Sequence, residues 1–581
     1  MKLSTRLLLL AIILLAAVFR FYNINWDQGN HLHPDERAII MATEKLALPQ
    51  NVSHFFSPDS PWNPHFFAYG SFPFYLLYFS GQALAPLNPE FAKYSLINIT
   101  GRIISGFSDL LTIVVLFFLA RRLFGEKVGF IAAIFYSLSV LSIQLSHFYA
   151  VDTLLTLFIT TTLYFLVIFY EKPSVKKALL VGLFFGLALA TKVSAIILIA
   201  SVTVVLVAQL KASVKHFLKY LFLIALSTIA TFIFFEPYAL IDFENFWLQT
   251  LQQSAMTKNA FVFPYTLQYV GKVPYVYELK NIFLFGLGPV LGLISFIGIF
   301  YFIKISIQDF RFYALMDLDS RLREDDKSES PAIKKDKMNK WVQKAIIFVF
   351  FAVYFFIVGR FAIGFMRYML PVYPLLCLFG ALVAFRVMEF INKTIRNSFI
   401  QNIIYIVFCT LVLLWPVSFI HIYSKNNTRV DATTWIIYTI PAGGRLAVEH
   451  WDDTLPLVYG ERYIFNELPL YNPDTDEKWQ LINNRLDSTD YIIIASNRLY
   501  TPLQRLTYCD KLPVDRCYKK TALYYQRLFS GQLGFVKVAE FANYPMIPFF
   551  NIAIDDQSAD ESFTVYDHPK VMIFKKISEK Y

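Results

Sequence analysis

The sequence predicts a polytopic α-helical membrane protein that ends in a small α/β domain. Of its 581 residues 56% are hydrophobic and only 17% are charged, with a mean hydropathy of +0.47. Soluble globular chains lie nearer about 45–50% apolar and about 25% charged. The apolar excess is gathered into runs such as "LLLLAIILLAAVF", "LLTIVVLFFLA" and "AIILIASVTVVLVAQL", and a bilayer core takes roughly 20 such residues per helix. After about residue 424 these runs give way to short strand-like and helix-like stretches.

The first run, Leu7 to Phe19, follows Lys2 and Arg6 and is succeeded by "RFYNINW" rather than a small-residue cleavage site, so it reads as a retained signal anchor. Apolar stretches place eleven spans at roughly 5–22, 103–120, 128–146, 153–170, 177–191, 193–209, 217–236, 281–303, 342–359, 368–387 and 399–421. With this spacing the Lys/Arg-rich loops "RRLFGEK", "EKPSVKK", "KASVKHFLK", the stretch 304–341 and "NKTIRN" fall on one side, the cytoplasmic one. The N-terminus shares that side, and the first loop, the loop 237–280 and the tail lie outside. The run 66–86 is long enough to span, but a crossing there would invert every later loop. Gly70, Pro73 and the surrounding aromatics favour an interfacial helix instead.

The expected organisation is a membrane unit over 1–423 and an outer α/β domain over 424–581. The membrane unit contains a large outer loop (23–100) and a mixed-charge cytoplasmic linker (304–341), disordered around "EDDKSESPAIKKDK". In the tail, the runs 445–451, 490–496, 523–531, 535–541, 562–568 and 570–576 alternate as strands and helices do around a partly parallel sheet. The net charge of +10 is spread over cytoplasmic loops, where it sets topology and meets anionic lipid; nothing resembles a nucleic-acid footprint. Cys377 and Cys409 fall within spans. Cys509 and Cys517, eight residues apart in the outer tail, have a spacing compatible with a disulfide.

Polar groups gather at one membrane boundary. Asp35 and Glu36 follow the first span, Arg102 heads the second and Asp152 follows the third. Lys192 lies between the fifth and sixth, and Arg360 and Arg367 flank the link after the ninth. His33, His65 and Tyr368 are further polar groups at that level. Charges at a bilayer usually need a partner or a cavity, and acids and bases from five hairpins at one depth point to a shared site. Each has a plainer reading: Arg360 and Lys192 as snorkelling anchors, Asp152 as a helix cap, and Asp35 as part of an acidic first turn after Pro34. His31 and His33 form H-x-H, a weak metal signal; no metal or other cofactor is expected, although the pattern leaves a divalent ion open.

A carboxylate beside several cations at a lipid surface suits glycosyl transfer from a polyprenyl phosphate sugar. The acceptor hydroxyl needs a general base, and the departing lipid phosphate needs positive charge. Neighbours i and i+1 on a helix point in different directions, so Asp35 is expected as base with Glu36 bracing it.

"HPDER" resembles the first-loop acidic motif of the GT-C glycosyltransferases, nearest the dolichyl-phosphate-mannose protein mannosyltransferases and the lipid A aminoarabinose transferases. "RRLFGEKVGFIAAIFYSLSVLSIQLSHFYAVDTLLTLF", "LALATKVSA" and "MRYMLPVYPLL" are similar to later elements of that family. The resemblance implies a GT-C fold, Asp35 as catalytic base with Asp152 as the family's second acidic residue, and Arg102 on the donor phosphate; Lys192, Arg367 and Arg360 are expected as further phosphate-binding groups from their place at the same boundary. The acceptor is expected to be a protein, a lipid or a glycan. In the tail, "EHWDDTLPL", "ASNRLY", "YYQRLFSGQLGF" and "SFTVYDHPKVMIF" resemble prokaryotic glycosyltransferases dependent on a phospholipid carrier. The Lys-Pro pair of the aminoarabinose branch is missing from "NPHFFAYGSFPFYL", and no segment could hold a β-trefoil. Two other readings are a transporter, whose polar groups would sit near the midplane, and an anchored assembly protein whose outer domain binds a partner.

Overall fold

The computed structural model describes residues 3–210, 213–322 and 331–577. Among these, nine helices are long and apolar enough to cross a bilayer. A bent pair, Glu126–Ser137 and Val140–Ser146, makes a tenth if it counts as one span. The span expected at 177–191 is the helix Val175–Leu189, with only 15 residues, about 22 Å at 1.5 Å per residue. It lies antiparallel alongside the helix Asp152–Glu171. Near its start Lys177 donates to the Ile168 carbonyl at 2.9 Å, and just past its end Lys192 donates to Asp152 at 2.9 Å.

That short helix packs against Val214–Phe235 through Gly182 and Gly186. A Cβ at Gly182 would lie 2.5 Å from the Ser227 Cβ, and one at Gly186 would lie 2.6 Å from that of Thr231. Small residues one turn apart let two membrane helices close up in this way. The expected interfacial helix is Phe72–Leu84, 13 residues, too short to span.

The linker expected over 304–341 is largely helix. Residues up to Leu322 extend Pro289–Leu322, and those from Pro331 begin Pro331–Gly359. The first half of the disordered run expected at 324–337 lies outside the described residues; 331–337 is helical.

Two buried ion clusters tie the first helix, Leu3–Phe21, and the first loop to the helix Ile97–Phe124. Arg20 donates through Nε to Asp109 at 2.6 Å and through Nη1 to the Ser137 carbonyl at 2.7 Å, and Tyr136 donates to the same aspartate at 2.6 Å. The other cluster is centred on Arg102 and belongs to the site described below. An ion left unpaired at such depth would be costly, so each pair fixes which helices meet.

The tail is a three-layer α/β domain. Strands β1 (Arg445–Glu449), β2 (Ile464–Leu468), β3 (Tyr491–Ile494), β4 (Phe535–Phe541), β5 (Met546–Ile547), β6 (Ile552–Ala553) and β7 (Val571–Lys576) form a five-stranded sheet and a small hairpin. The sheet order is β2-β1-β3-β7-β4; β2, β1, β3 and β4 run one way, and β7 is antiparallel to both its neighbours. Successive side chains on a strand point to opposite faces. Ile492 and Ile494 accordingly meet the helices Asp476–Asp487 and Lys519–Phe529, whereas Tyr491 and Ile493 meet Thr428–Thr439. Burial on both faces explains the unbroken apolar run "YIII". The run 562–568 is not a strand: it holds the helical turn Glu561–Thr564. The half-exposed edge strand β2 carries no clear alternation and was not expected. Cys509 and Cys517 are joined in a disulfide; Cys377 is buried and Cys409 exposed.

The domain is docked on the bundle. His568 lies between Asp567 and Asp556, with its Nε2 2.9 Å from Asp556. Asp567 in turn accepts from Gln144 at 3.0 Å and from Tyr423 at 2.8 Å, two side chains of the membrane unit.

Candidate active site

The helix Pro34–Glu44 carries the acidic pair. Proline at its first position fits a helix start. His33 caps it by accepting the Glu36 N–H on Nδ1 at 3.3 Å, leaving the histidine ring between Phe148 and Tyr566 at 4.5 and 4.2 Å. Burial pushes the His33 pKa down to about 3, so the ring is neutral at physiological pH and free to accept that bond.

The two carboxylates diverge. Glu36 turns inward, where it accepts from Arg102 Nη2 at 2.6 Å, from Arg102 Nε at 3.0 Å and from the Tyr149 N–H at 2.8 Å. Arg102 also donates to Asp27 at 2.7 and 3.0 Å and to the Ile24 carbonyl at 2.9 Å. It lies over the Trp26 ring at 4.9 Å.

Asp35 turns the other way, into a cavity of about 490 Å³ at one end of the bundle. Tyr69 donates to its Oδ1 at 2.9 Å, and Arg367 Nη1 donates to its Oδ2. Burial alone would raise this carboxyl. The charges of Arg367 and His33, with hydrogen bonds from Arg367 and Tyr69, outweigh it and hold Asp35 below the usual carboxylate range.

Lys192 and Tyr368 share the cavity wall. The Lys192 ammonium sits 4.4 Å from the Tyr368 ring centroid and 5.8 Å from that of Tyr69. Its position is set by the backbone: Gly70 N–H donates to Thr191 O at 3.1 Å and Phe72 N–H to Ala190 O at 3.2 Å. A Cβ at Gly70 would fall 1.9 Å from the Ala190 oxygen, so only glycine lets the first loop press against the Lys192 turn.

The structure thus gathers Asp35, Lys192, Arg367 and Tyr368 and redistributes the other candidates. Arg102 is fully buried and absent from the lining. Asp27 and Glu36 take its donors, and it braces Glu36. Glu36, equally buried, is outside the lining and supports the loop. Asp152 stands behind Lys192 as its counter-ion, its side chain 1% exposed, rather than in the cavity. Arg360 is exposed and outside the lining, and His65, 53% exposed, faces Asp242 at 3.6 Å. H-x-H does not converge either: His31 stacks on Tyr94 at 4.2 Å. Among the described residues no cluster of three His, Cys, Asp or Glu could hold a metal ion.

The C-terminal domain supplies the rest of the wall: Trp451, Asp452, Asp453, Arg498, Glu561 and Tyr566. None was singled out from the sequence, although the quoted stretches "EHWDDTLPL", "ASNRLY" and "SFTVYDHPKVMIF" contain five of them. Asp453 faces Arg37, two residues beyond Asp35, at 3.4 Å. Tyr69 and Tyr265 also line it and offered no sequence signal beyond aromatic richness.

Residues 98–235, from the Arg102 helix through the Lys192 turn, match the family model of dolichyl-phosphate-mannose-protein mannosyltransferase. A comparison with curated proteins found no match. Among solved structures, the archaeal oligosaccharyltransferase AglB of Archaeoglobus fulgidus, in complex with an inhibitory peptide and a dolichol-phosphate, aligns at 12% identity with a TM-score of 0.48. That alignment covers 99% of this chain and 88% of that one. ArnT from Cupriavidus metallidurans bound to undecaprenyl phosphate aligns at 13% identity and a TM-score of 0.45, over 85% and 94% of the two chains. The protein O-mannosyltransferase Pmt1-Pmt2 complex of S. cerevisiae aligns at 17% and 0.31, over 42% and 34%. The likeness to that mannosyltransferase family is carried by residues 98–235.

Proposed function

We propose that the protein is an inverting glycosyltransferase that moves a monosaccharide from a polyprenyl phosphate carrier to a hydroxyl acceptor on the extracytoplasmic face of a cell membrane. The observation carrying this reading is one cavity in which the ionised Asp35 faces the cations Arg367 and Lys192 at the end of an apolar bundle. A transporter would hold such groups near mid-bilayer.

In the reaction the acceptor oxygen attacks the anomeric carbon while its proton passes to Asp35. The bond from that carbon to the phosphate oxygen breaks on the opposite face, and the electron pair leaves with the lipid phosphate. Arg367 and Lys192 stabilise the charge that develops there. Asp35 begins paired to Arg367, which makes it a weak base. A donor phosphate competing for the guanidinium frees the carboxylate as the sugar arrives, coupling donor binding to basicity. The protein's own residues supply every group this scheme needs.

The test is turnover of radiolabelled polyprenyl phosphate sugars by purified protein in lipid. Product forming from nucleotide sugars but never from the lipid-linked donors would reject the donor class.

A further inference from the structure

The cavity has two walls. The bundle side carries Lys192 and Arg367, paired with Asp152 and Asp35. On the domain side Asp453 meets Arg37 of the first-loop helix at 3.4 Å, Arg429, buried behind the lining, meets Asp452 at 2.9 Å and Asp453 at 3.4 Å, and Arg498 meets Glu561 at 2.7 Å. Three arginines and three carboxylates leave this wall close to neutral and crowded with hydrogen-bonding groups. A phosphate would find no unmatched cation there, and a basic peptide no unmatched acid.

On the same wall stands Trp451. Its side chain is 51% exposed, although a large apolar ring gains by burial. Its backbone is left-handed, with φ of 65°, a conformation unfavourable for a bulky residue and found mostly where a surrounding structure enforces it at functional sites. Arg498 Nη1 donates to the Trp451 carbonyl at 3.1 Å, holding the turn. The ring of Tyr265 lies 6.3 Å away across the cavity mouth.

We infer that the wall formed by Trp451, Asp453, Arg498 and Tyr265 is the acceptor subsite, and that the acceptor it takes is a neutral saccharide. An exposed indole offers the apolar face of a pyranose ring a flat platform, and paired carboxylates and guanidinia offer its hydroxyls both acceptors and donors. Recognition of an extended peptide through its main chain would need a strand edge, and none of the residues lining the cavity belongs to a strand. Inversion brings the acceptor from the side opposite the departing phosphate, hence from the domain wall rather than the Lys192 wall. This inference rests on the glycosyl-transfer reading.

Calorimetric titration of the full-length protein with neutral di- to tetrasaccharides, Ser/Thr peptides and a polyprenyl phosphate separates the two. Saccharide binding is expected, weakened at least tenfold by Trp451→Ala and less by Trp451→Phe, with polyprenyl phosphate affinity unchanged in both variants. Peptide binding that depends on Trp451, without saccharide binding, overturns the acceptor class and leaves the donor reading standing. Saccharide binding insensitive to Trp451→Ala in a variant that still binds polyprenyl phosphate overturns the subsite. Failure of the wild-type protein to bind polyprenyl phosphate strikes the donor reading alone, and Trp451-dependent saccharide binding would still support the subsite.

Discussion

Arg367 donates directly to the carboxylate of Asp35 across a separation of 332 residues. The acid comes from a loop helix near the start of the chain and the cation from the turn before the helix Tyr373–Thr394. With Tyr69 they keep the proposed base ionised and aimed into the cavity.

Asp35→Asn removes proton acceptance with almost no change in shape. Transfer is expected to fall about 10²–10⁴-fold, the usual contribution of a general base, with donor affinity and thermal stability retained. Single-turnover assays beside donor titration check this; wild-type-like turnover would remove Asp35 from the chemistry.

Lys192→Ala deletes the proposed charge-assisted contact to the donor phosphate and leaves Asp152 buried without its counter-ion. Hydrogen bonds to charged groups contribute about 1.5–3 kcal/mol, so donor affinity should weaken roughly 10–100-fold. The double variant Lys192→Ala/Asp152→Asn should recover stability but not affinity, as read by thermal unfolding and donor titration.

Arg102→Ala strands two buried carboxylates, Asp27 and Glu36. Breaking a buried ion pair from one side costs about 3–5 kcal/mol. The expected result is poor folding yield and a lowered Tm, with normal donor affinity in whatever fraction folds. Intact stability with lost donor affinity would return Arg102 to the phosphate.

The domain contact should be pH-sensitive at its alkaline end. Burial disfavours charge on His568, but Asp567 and Asp556 outweigh it and raise its pKa to about 10. A histidine with a raised folded-state pKa contributes stability that is complete below its unfolded pKa of 6.5 and is lost as pH climbs through about 10. Thermal unfolding between these limits should show wild-type Tm falling with pH more steeply than that of His568→Gln. Parallel curves would discount the contact.

Much of the architecture was legible in the residues. Span length, the loop charges and the apolar run "YIII" answer to local rules, since a bilayer or a two-sided sheet imposes them on any chain. The divergence of Asp35 and Glu36 was legible too, because helix geometry alone separates neighbours. The short helix Val175–Leu189 shows the limit: its length denies a span, and only its antiparallel match to Asp152–Glu171 reveals how far it runs. Arg102 and Asp152 were correctly seen as unusual charges, but their partners, and therefore their roles, depend on which helices pack together.

The sequence by itself determined a multi-helix membrane unit, an α/β tail and the acidic pair at the first loop, because hydrophobicity, period and helix capping act over a few neighbours. Only the tertiary structure decided that Arg367, not Arg102, meets Asp35, and that Trp451, Asp453 and Arg498 close the cavity from a domain more than 400 residues downstream of it. A charge at a membrane boundary needs a partner, but the energy of pairing is indifferent to sequence distance, so the choice among many arginines and acids is made by packing.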